Sequence, residues 1–125
     1  MVTSGQVTPG KTTIDIDVLL TIARLTALSV PGVSRMSRVP SKRLRSIFLK
    51  KHADQGVYID VEDDIVNADL YVILKNDVNI REVGRYIQTS VARAITEMIG
   101  MQVGQINIHV EDIDYPEKVD PELSK

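Results

Sequence analysis

The chain is 125 residues long and 43% of its residues are apolar, which suits one packed globular domain. It contains no cysteine, so disulfides, thiolate metal sites and a cysteine nucleophile are excluded. It also lacks the apolar run of about 18 residues typical of a membrane-spanning helix, and its N-terminus does not resemble a secretory signal. We therefore expect a cytoplasmic protein.

The formal net charge of −2 conceals a strong asymmetry along the chain. Residues 33–53 contain seven of the 15 basic side chains and no acid, whereas the last fifteen residues contain six acids. Such blocks are typical of solvated surface or of an interaction segment. The basic side chains of this segment are Arg35, Arg38, Lys42, Arg43, Arg45, Lys50 and Lys51.

The first part of the chain predicts a strand followed by a helix. Residues 1–10 show no periodic spacing of apolar residues and are predicted to be a disordered lead-in. A single domain is predicted over residues 11–113. Alternating isoleucines predict a short strand over residues 12–16. Asp17 is predicted to cap a helix that runs to about Val30 and ends at Pro31-Gly32. The predicted apolar stripe of this helix is Val18, Ile22, Leu25 and Ser29, with Leu19, Ala23 and Thr26 beside it.

The basic segment is predicted to form a short amphipathic helix. Pro40 and Ser41 can start it, and Leu44, Ile47 and Phe48 then share one face while the basic side chains surround the rest. This arrangement has two interpretations. The apolar positions cover an open edge of the core while the charges are simply solvated, or the segment docks on an anionic lipid or protein surface.

The second half of the chain shows clearer periods. Strict alternation predicts strands over residues 57–62 and about 67–75, joined as an antiparallel hairpin through Asp63-Asp64. Asn79 and Glu82 have the spacing of a capping box, which predicts a long helix from Asn79 to about residue 99, stopped by Gly100. A last strand is predicted over residues 103–113, with Ile106, Ile108 and Val110 facing inward, followed by an acidic tail over residues 114–125.

These elements predict an α+β protein of β-α-β-β-α-β order. Each strand has one apolar face and each helix one apolar stripe, so two layers are expected. Two main helices would cover one face of a three- to four-stranded, mostly antiparallel sheet. The short basic helix would be a third helix of the fold.

The sequence offers little for catalysis. His52 and His109 have no second histidine at ligand spacing, so each is interpreted as a surface side chain rather than a base or metal ligand. Asp63-Asp64 is interpreted as an acidic hairpin turn, because the oxygen-rich spacing of a calcium loop is missing. We expect a protein that is not an enzyme and uses neither a cofactor nor a metal.

Nucleic-acid binding through residues 35–51 is the alternative function. RNA-recognition domains with a similar element order stack bases on exposed sheet aromatics. Here the predicted outer face offers Tyr58 and Tyr71, but the acids Asp60, Glu62, Asp69 and Glu111 share that face and would repel phosphate. Nucleic acid is therefore the less favoured partner.

Several motifs together resemble the alkaline shock protein family of bacterial cell envelope stress-response proteins. The resemblance covers about residues 10–113. In the second half it rests on the strand NADLYVIL from Asn67, the helix start VNIREV from Val78, Gly100 and the closing strand VGQINIHV from Val103. The first half matches more loosely, through GKTTIDI from Gly10 and VPGV from Val30.

The resemblance implies a non-enzymatic cytoplasmic protein that gathers at the inner face of the membrane. It also implies self-association and docking on a membrane-anchored protein partner, with an anionic lipid surface as a further possibility, in support of the envelope stress response. The family supplies no catalytic residues. The basic segment is denser here than the Gly-rich or mildly amphipathic linker of many members. We therefore predict docking through Arg35, Arg38, Lys42, Arg43, Arg45, Phe48, Lys50 and Lys51.

Overall fold

The computed structural model describes residues 8–40 and 53–116. Seven elements follow one another in these residues. In chain order they are α1 (Ile16–Ser29), β1 (Val33–Met36), β2 (Ala53–Asp54), β3 (Val57–Glu62), β4 (Ile65–Lys75), α2 (Ile80–Ala94, continued by a π-helical turn over Ile95–Ile99) and β5 (Gln102–Asp114).

The strands of the described part form one five-stranded sheet in which β4 is central. β5 runs parallel to β4 over its whole length, and α2 is the crossover helix that a parallel connection needs. β3 pairs antiparallel with the first half of β4 and β1 with its last residues, so both lie on the remaining edge of β4. β2 extends the sheet by pairing with β3.

The predicted α+β class and its two layers are confirmed. Residues of α1 and α2 share one cluster of buried apolar side chains with alternate residues of β3, β4 and β5, so both helices cover the same face of the sheet. The alternation predicted for the hairpin is confirmed too, because most of the side chains predicted to face inward are fully buried. These are Val57, Ile59, Leu70, Val72 and Leu74.

The strand predicted over residues 12–16 is wrong. These residues have no regular structure until α1 begins at Ile16, and the strand that pairs near the end of β4 is β1, which follows α1. Both edges of β4 are occupied by β1, β3 and β5, which leaves no place beside it for an earlier strand. The described sheet consequently has five strands, against the three to four that were predicted.

The cap predicted for α1 is also displaced. Asp15 occupies the N-cap position with extended backbone, although its side chain makes no capping hydrogen bond, and Asp17 lies in the first turn. An acid in the first turn still favours the helix because its charge opposes the positive end of the helix dipole. The predicted end is confirmed, since α1 stops at Ser29, just before Pro31-Gly32.

The cap at Asn79 and the stop at Gly100 predicted for α2 are confirmed. Asn79 caps the helix, and its Oδ1 accepts a hydrogen bond of 3.0 Å from the backbone N–H of Glu82. The helix ends at Gly100, which adopts the left-handed conformation at φ 79°. Its N–H donates to the carbonyls of Ile95 and Thr96, both at 3.1 Å, which satisfies two of the free acceptors of the last turn.

The apolar stripe predicted for α1 does not coincide with its buried face. The buried side chains are Leu19, Leu20, Ala23 and Ala27. Val18 and Leu25, both assigned to the stripe, are 43% and 54% exposed. α1 is therefore apolar on two sides, and only one of them faces the core.

Candidate functional site

The structure places two of the eight predicted docking residues. Arg35 lies in β1 and Arg38 follows this strand with an exposed side chain. The short basic helix and the other six residues lie outside the described residues. These six are Lys42, Arg43, Arg45, Phe48, Lys50 and Lys51.

Arg35 is paired within the chain. Its guanidinium donates from Nε to Oδ2 of Asp114 at 2.9 Å and from Nη2 to Oδ1 at 3.1 Å, while the Ser34 hydroxyl donates to Oδ2 at 2.7 Å. These hydrogen bonds lower the pKa of Asp114, and the bond to Asp114 raises the pKa of Arg35. The pair is exposed to solvent, but its charges are already matched. Arg35 is therefore a weaker candidate for binding an external anion than its charge alone suggests.

The described residues on either side of positions 41–52 lie on one cluster of the sheet. Within the basic segment, Val39 precedes the five cations at residues 42–51 and is buried with Tyr58 and Tyr71, and Ala53, which follows them, packs on the same cluster. Tyr58 and Tyr71 point to the face of the sheet opposite α1 and α2. The segment is therefore connected to the helix-free face at both ends.

The two tyrosines are buried rather than exposed on the outer face. Tyr58 is 8% and Tyr71 is 4% exposed, so neither presents the open ring that base stacking needs. The sequence correctly placed both on the outer face, but it could not show what the ends of the basic segment would contribute there.

On the same face, the structure brings Asp69 and His109 together with Tyr71, a grouping that the sequence had not indicated. His109 Nε2 lies 2.8 Å from Oδ1 of Asp69, and the His109 ring stacks on Tyr71 with 4.4 Å between centroids and 11° between planes. Asp69 is buried, with only 8% of its surface exposed. His109 is opposite Tyr71 in the parallel register of β4 and β5. The alternation alone had put all three on one face, and only the register makes them neighbours.

The acidic turn between β3 and β4 is a tight hairpin connection. Asp63 and Asp64 have left-handed backbone at φ 53° and 63°, as a two-residue hairpin turn of this hand requires. This confirms the interpretation of Asp63-Asp64 as a turn. Within residues 8–40 and 53–116, no group of three or more histidine, cysteine, aspartate or glutamate side chains is arranged to hold a metal ion.

Two of the motifs that carried the family resemblance, VPGV and VNIREV, meet between the helices. The VPGV stretch after α1 lies against the start of α2, where Gly32 approaches Val83 and Val78. Val78 and Val83, together with Tyr86, line a cavity of about 540 Å³. These motif positions therefore form the contact between the end of α1 and the beginning of α2.

No helix of the described part is long and apolar enough to cross a membrane.

Comparisons with known proteins agree with the motifs. A model of the alkaline shock protein 23 family, described as having a cell envelope-related function, matches residues 5–115. The uncharacterized protein Spy1535 of Streptococcus pyogenes serotype M6 is 32% identical over 100 residues, covering 79% of this chain and 78% of that protein. The uncharacterized protein YqhY of Bacillus subtilis is 28% identical over 109 residues, which cover 87% of this chain and 81% of that protein.

Among solved structures, a variant of the MamM CTD matches with a TM-score of 0.49 and 13% identity over 78% of this chain and 96% of that one. Another MamM CTD structure matches with a TM-score of 0.48 and 12% identity, over 78% of this chain and 98% of that one. The family match covers nearly the whole described domain, whereas these structural likenesses are distant. The chain therefore belongs to the alkaline shock protein 23 family, whose function is cell envelope-related.

Proposed function

We propose that this protein is a non-enzymatic scaffold or adaptor of the cell envelope stress response, which self-associates and docks at the cytoplasmic face of the membrane. The envelope-related family supports the setting. The observation that carries the docking mode is the attachment of the basic segment: both of its ends pack on the Tyr58–Tyr71 cluster of the helix-free face. A segment rich in Lys and Arg whose flanking residues are held on a sheet is suited to meet an anionic surface.

The charges of the domain favour the same mode. Arg35 is neutralised by Asp114, and Arg38 is exposed at the beginning of the segment. The hairpin end of the sheet has exposed acids, Asp60 and Glu62 among them. An anionic surface is therefore attracted at the basic segment and repelled at the hairpin, which orients the protein as it docks. The docking target is a membrane-anchored protein partner or anionic lipid.

Co-sedimentation with vesicles tests this proposal. Wild-type protein is mixed with vesicles containing phosphatidylglycerol, with neutral vesicles and with RNA, in low and physiological salt. The test variant combines Arg43→Gln, Arg45→Gln, Lys50→Gln and Lys51→Gln. The matched control removes the same charge elsewhere, through Lys75→Gln, Arg81→Gln, Arg85→Gln and Arg93→Gln, all exposed positions.

We expect binding to the anionic vesicles that is lost in the test variant and kept in the control. Binding that falls equally in both variants would contradict a docking role for the segment, because only total charge would matter. Binding to RNA alone, lost in the test variant, would favour the nucleic-acid alternative. Absence of binding to all three would contradict lipid docking and leave a membrane-anchored protein as the target.

The buried tyrosines count against the nucleic-acid alternative. Neither Tyr58 nor Tyr71 is exposed enough to stack on a base, and Asp69, which is opposite Tyr58 in the β3–β4 register, places a carboxylate beside them. Phosphate contacts from the basic segment alone would give weak, salt-sensitive binding without sequence preference. Docking on an anionic membrane or protein surface uses the same charges and needs no aromatic platform.

Self-association has its own measurement. Light scattering over a range of protein concentrations, in low and physiological salt, should show a mass that rises above the 13.9 kDa of one chain. A mass that stays at one chain under all of these conditions would contradict this part of the proposal.

A further inference from the structure

The solvent side of α1 is apolar although no other described element covers it. Val18 is 43% exposed, Leu25 54% and Leu28 38%, and Ile14, just before the helix, is 37% exposed. An α-helix turns about 100° per residue, so Val18, Thr21 and Leu25 lie within about 60° of one another, opposite Ala23. We call Ile14, Val18, Leu25 and Leu28 the outer stripe. A helix that is apolar on two opposite sides is typical of one buried on both.

Two opposite charges border the outer stripe on the same flank. Asp17 lies in the first turn of α1 and Arg24 lies seven residues later, which is close to two turns or about 10.5 Å along the axis. Within the described residues neither side chain takes part in an ion pair or a side-chain hydrogen bond. Both charges are therefore available to a group outside the chain.

This pattern is self-complementary. When two helices pack antiparallel about a twofold axis, each flank faces the same flank of the other copy, with the order of residues reversed. An axis close to Thr21 brings Asp17 of one copy to Arg24 of the other, and does so twice. The same axis places Val18 against Leu25 of the second copy. The ionic and the apolar pairs place the axis one residue apart, about 1.5 Å along the helix, so a single axis near Thr21 accommodates both.

We propose that the outer stripe of α1 is a self-association surface, on which a second copy of this chain packs its own α1 in antiparallel orientation about a twofold axis near Thr21. This inference rests on the self-association included in the proposed function, and it names the surface through which two copies would associate. One helix of 14 residues offers less than the roughly 800 Å² per partner of a standard interface, so the dimer is expected to be weak and dependent on concentration.

The charges beside the stripe argue for a second copy over a lipid surface. Asp15 and Asp17 border the beginning of α1, and Arg24 is the basic residue of the helix. An amphipathic helix that lies on anionic lipid has Lys and Arg along its polar face instead. The outer stripe and the basic segment therefore have different partners, protein for the first and an anionic surface for the second.

A charge exchange tests the register. Asp17→Arg or Arg24→Asp alone places like charges together twice in the proposed dimer and should weaken its association constant by about tenfold. The double variant Asp17→Arg, Arg24→Asp restores both pairs and should recover association to within about twofold of wild type. Sedimentation equilibrium measures the constants, and circular dichroism confirms that each variant is folded. Two single variants that associate as wild type does, or a double variant no better than the singles, would overturn the proposal.

Cross-linking tests the axis, since the chain has no cysteine of its own. Thr21→Cys should form a disulfide-linked dimer under mild oxidation, because the two sulfurs meet near the twofold axis. Thr89→Cys, exposed on the β5 side of α2, is the matched control and should not cross-link. Equal cross-linking of the two variants would contradict the proposed axis.

The apolar contact is tested with Val18→Gln combined with Leu25→Gln, against Met98→Gln, which changes an apolar side chain that is 69% exposed on another element. Association should be lost in the first variant and kept in the second, and binding to anionic vesicles should be kept in both. Loss of vesicle binding in the first variant would make lipid the occupant and overturn the proposal. If wild type associates and the stripe variants do so equally well, only this surface fails. If wild type never associates, the self-association of the proposed function fails with it.

Discussion

Arg35 and Asp114 are 79 residues apart in the chain, and their side chains meet across the central strand. β1, which contains Arg35, and β5, which ends at Asp114, lie on opposite edges of β4. The guanidinium donates two hydrogen bonds to the carboxylate, of 2.9 and 3.1 Å. The pair links both edge strands at one end of the sheet, close to where the basic segment begins.

The Arg35–Asp114 pair should make stability depend on pH in a defined direction. The pKa of Asp114 is lowered from its ordinary value of 3.8 by the hydrogen bonds from Arg35 and Ser34. A group whose pKa is lower in the folded state contributes stability above its unfolded pKa, and this contribution is lost as pH falls through the folded value. Asp114→Asn should therefore lower the melting temperature at pH 7, and the difference from wild type should shrink below about pH 4.

Asp60→Asn is the control for this measurement, because Asp60 is an exposed carboxylate on β3. It should change the melting temperature little at either pH. Since Asp114 is solvent-exposed, the effect at pH 7 is expected to be small and to diminish in high salt. A difference between Asp114→Asn and wild type that is constant from about pH 7 to about pH 3 would contradict the assignment.

The contacts of His109 should matter for stability more than its partly exposed position suggests. His109→Ala removes both the hydrogen bond to the buried Asp69 and the ring stacked on Tyr71, and should cost about 1–3 kcal/mol of unfolding free energy. His109→Gln can still donate to Asp69, so it should cost less. Asn107→Ala, exposed on the same face of β5, should change the free energy by less than about 0.5 kcal/mol. Urea unfolding measures all three, and equal losses in all of them would rule out a specific role for His109.

Two glycines should respond to alanine with opposite signs. Gly32 has φ of 101°, and a Cβ there would lie 2.9 Å from Cγ2 of Val83, so Gly32→Ala should cost about 1–3 kcal/mol. Gly84 lies inside α2, and a Cβ added there would have no heavy atom within 4 Å, so Gly84→Ala should stabilise by about 0.5–1 kcal/mol. Chemical unfolding of both variants checks the contrast. A loss of stability at Gly84 as large as that at Gly32 would mean that the space beside α2 is needed by the fold.

The contribution of the Asn79 cap of α2 to stability can be measured separately from the packing at this position. Asn79→Ala removes the acceptor for the N–H of Glu82 and should cost about 1 kcal/mol, whereas Asn79→Ser keeps an acceptor and should cost much less. Thermal or urea unfolding distinguishes the two. Equal losses for alanine and serine would show that packing at this position, and not capping, accounts for the effect.

The signals that the sequence predicted well are local. The cap at Asn79, the stop at Gly100 and the alternation of β3 and β4 each depend on residues a few positions apart, and all are confirmed. The helix of the first half was also found, but its N-terminus was displaced from Asp17 to Asp15 because both acids suit the start of a helix. Two alternating isoleucines were too short a pattern to establish a strand at residues 12–16.

The candidate site was predicted only in part, because its geometry depends on strand pairing. Charge density alone identified the basic segment, and the described structure adds that Arg35 is already paired with Asp114. The neighbourhood of Asp69, Tyr71 and His109 follows from the parallel register of β4 and β5, which no short window of sequence contains.

The sequence by itself determined the two main helices and the β3–β4 hairpin, because capping, turn geometry and hydrophobic period act over a few residues. Only the tertiary structure decided which apolar face of α1 is buried and which basic side chains are already matched. Both depend on contacts between segments far apart in the chain. Val18 and Leu25 have the same side-chain chemistry as the buried Leu19 and Leu20, and it is the position of the sheet that leaves the first pair exposed.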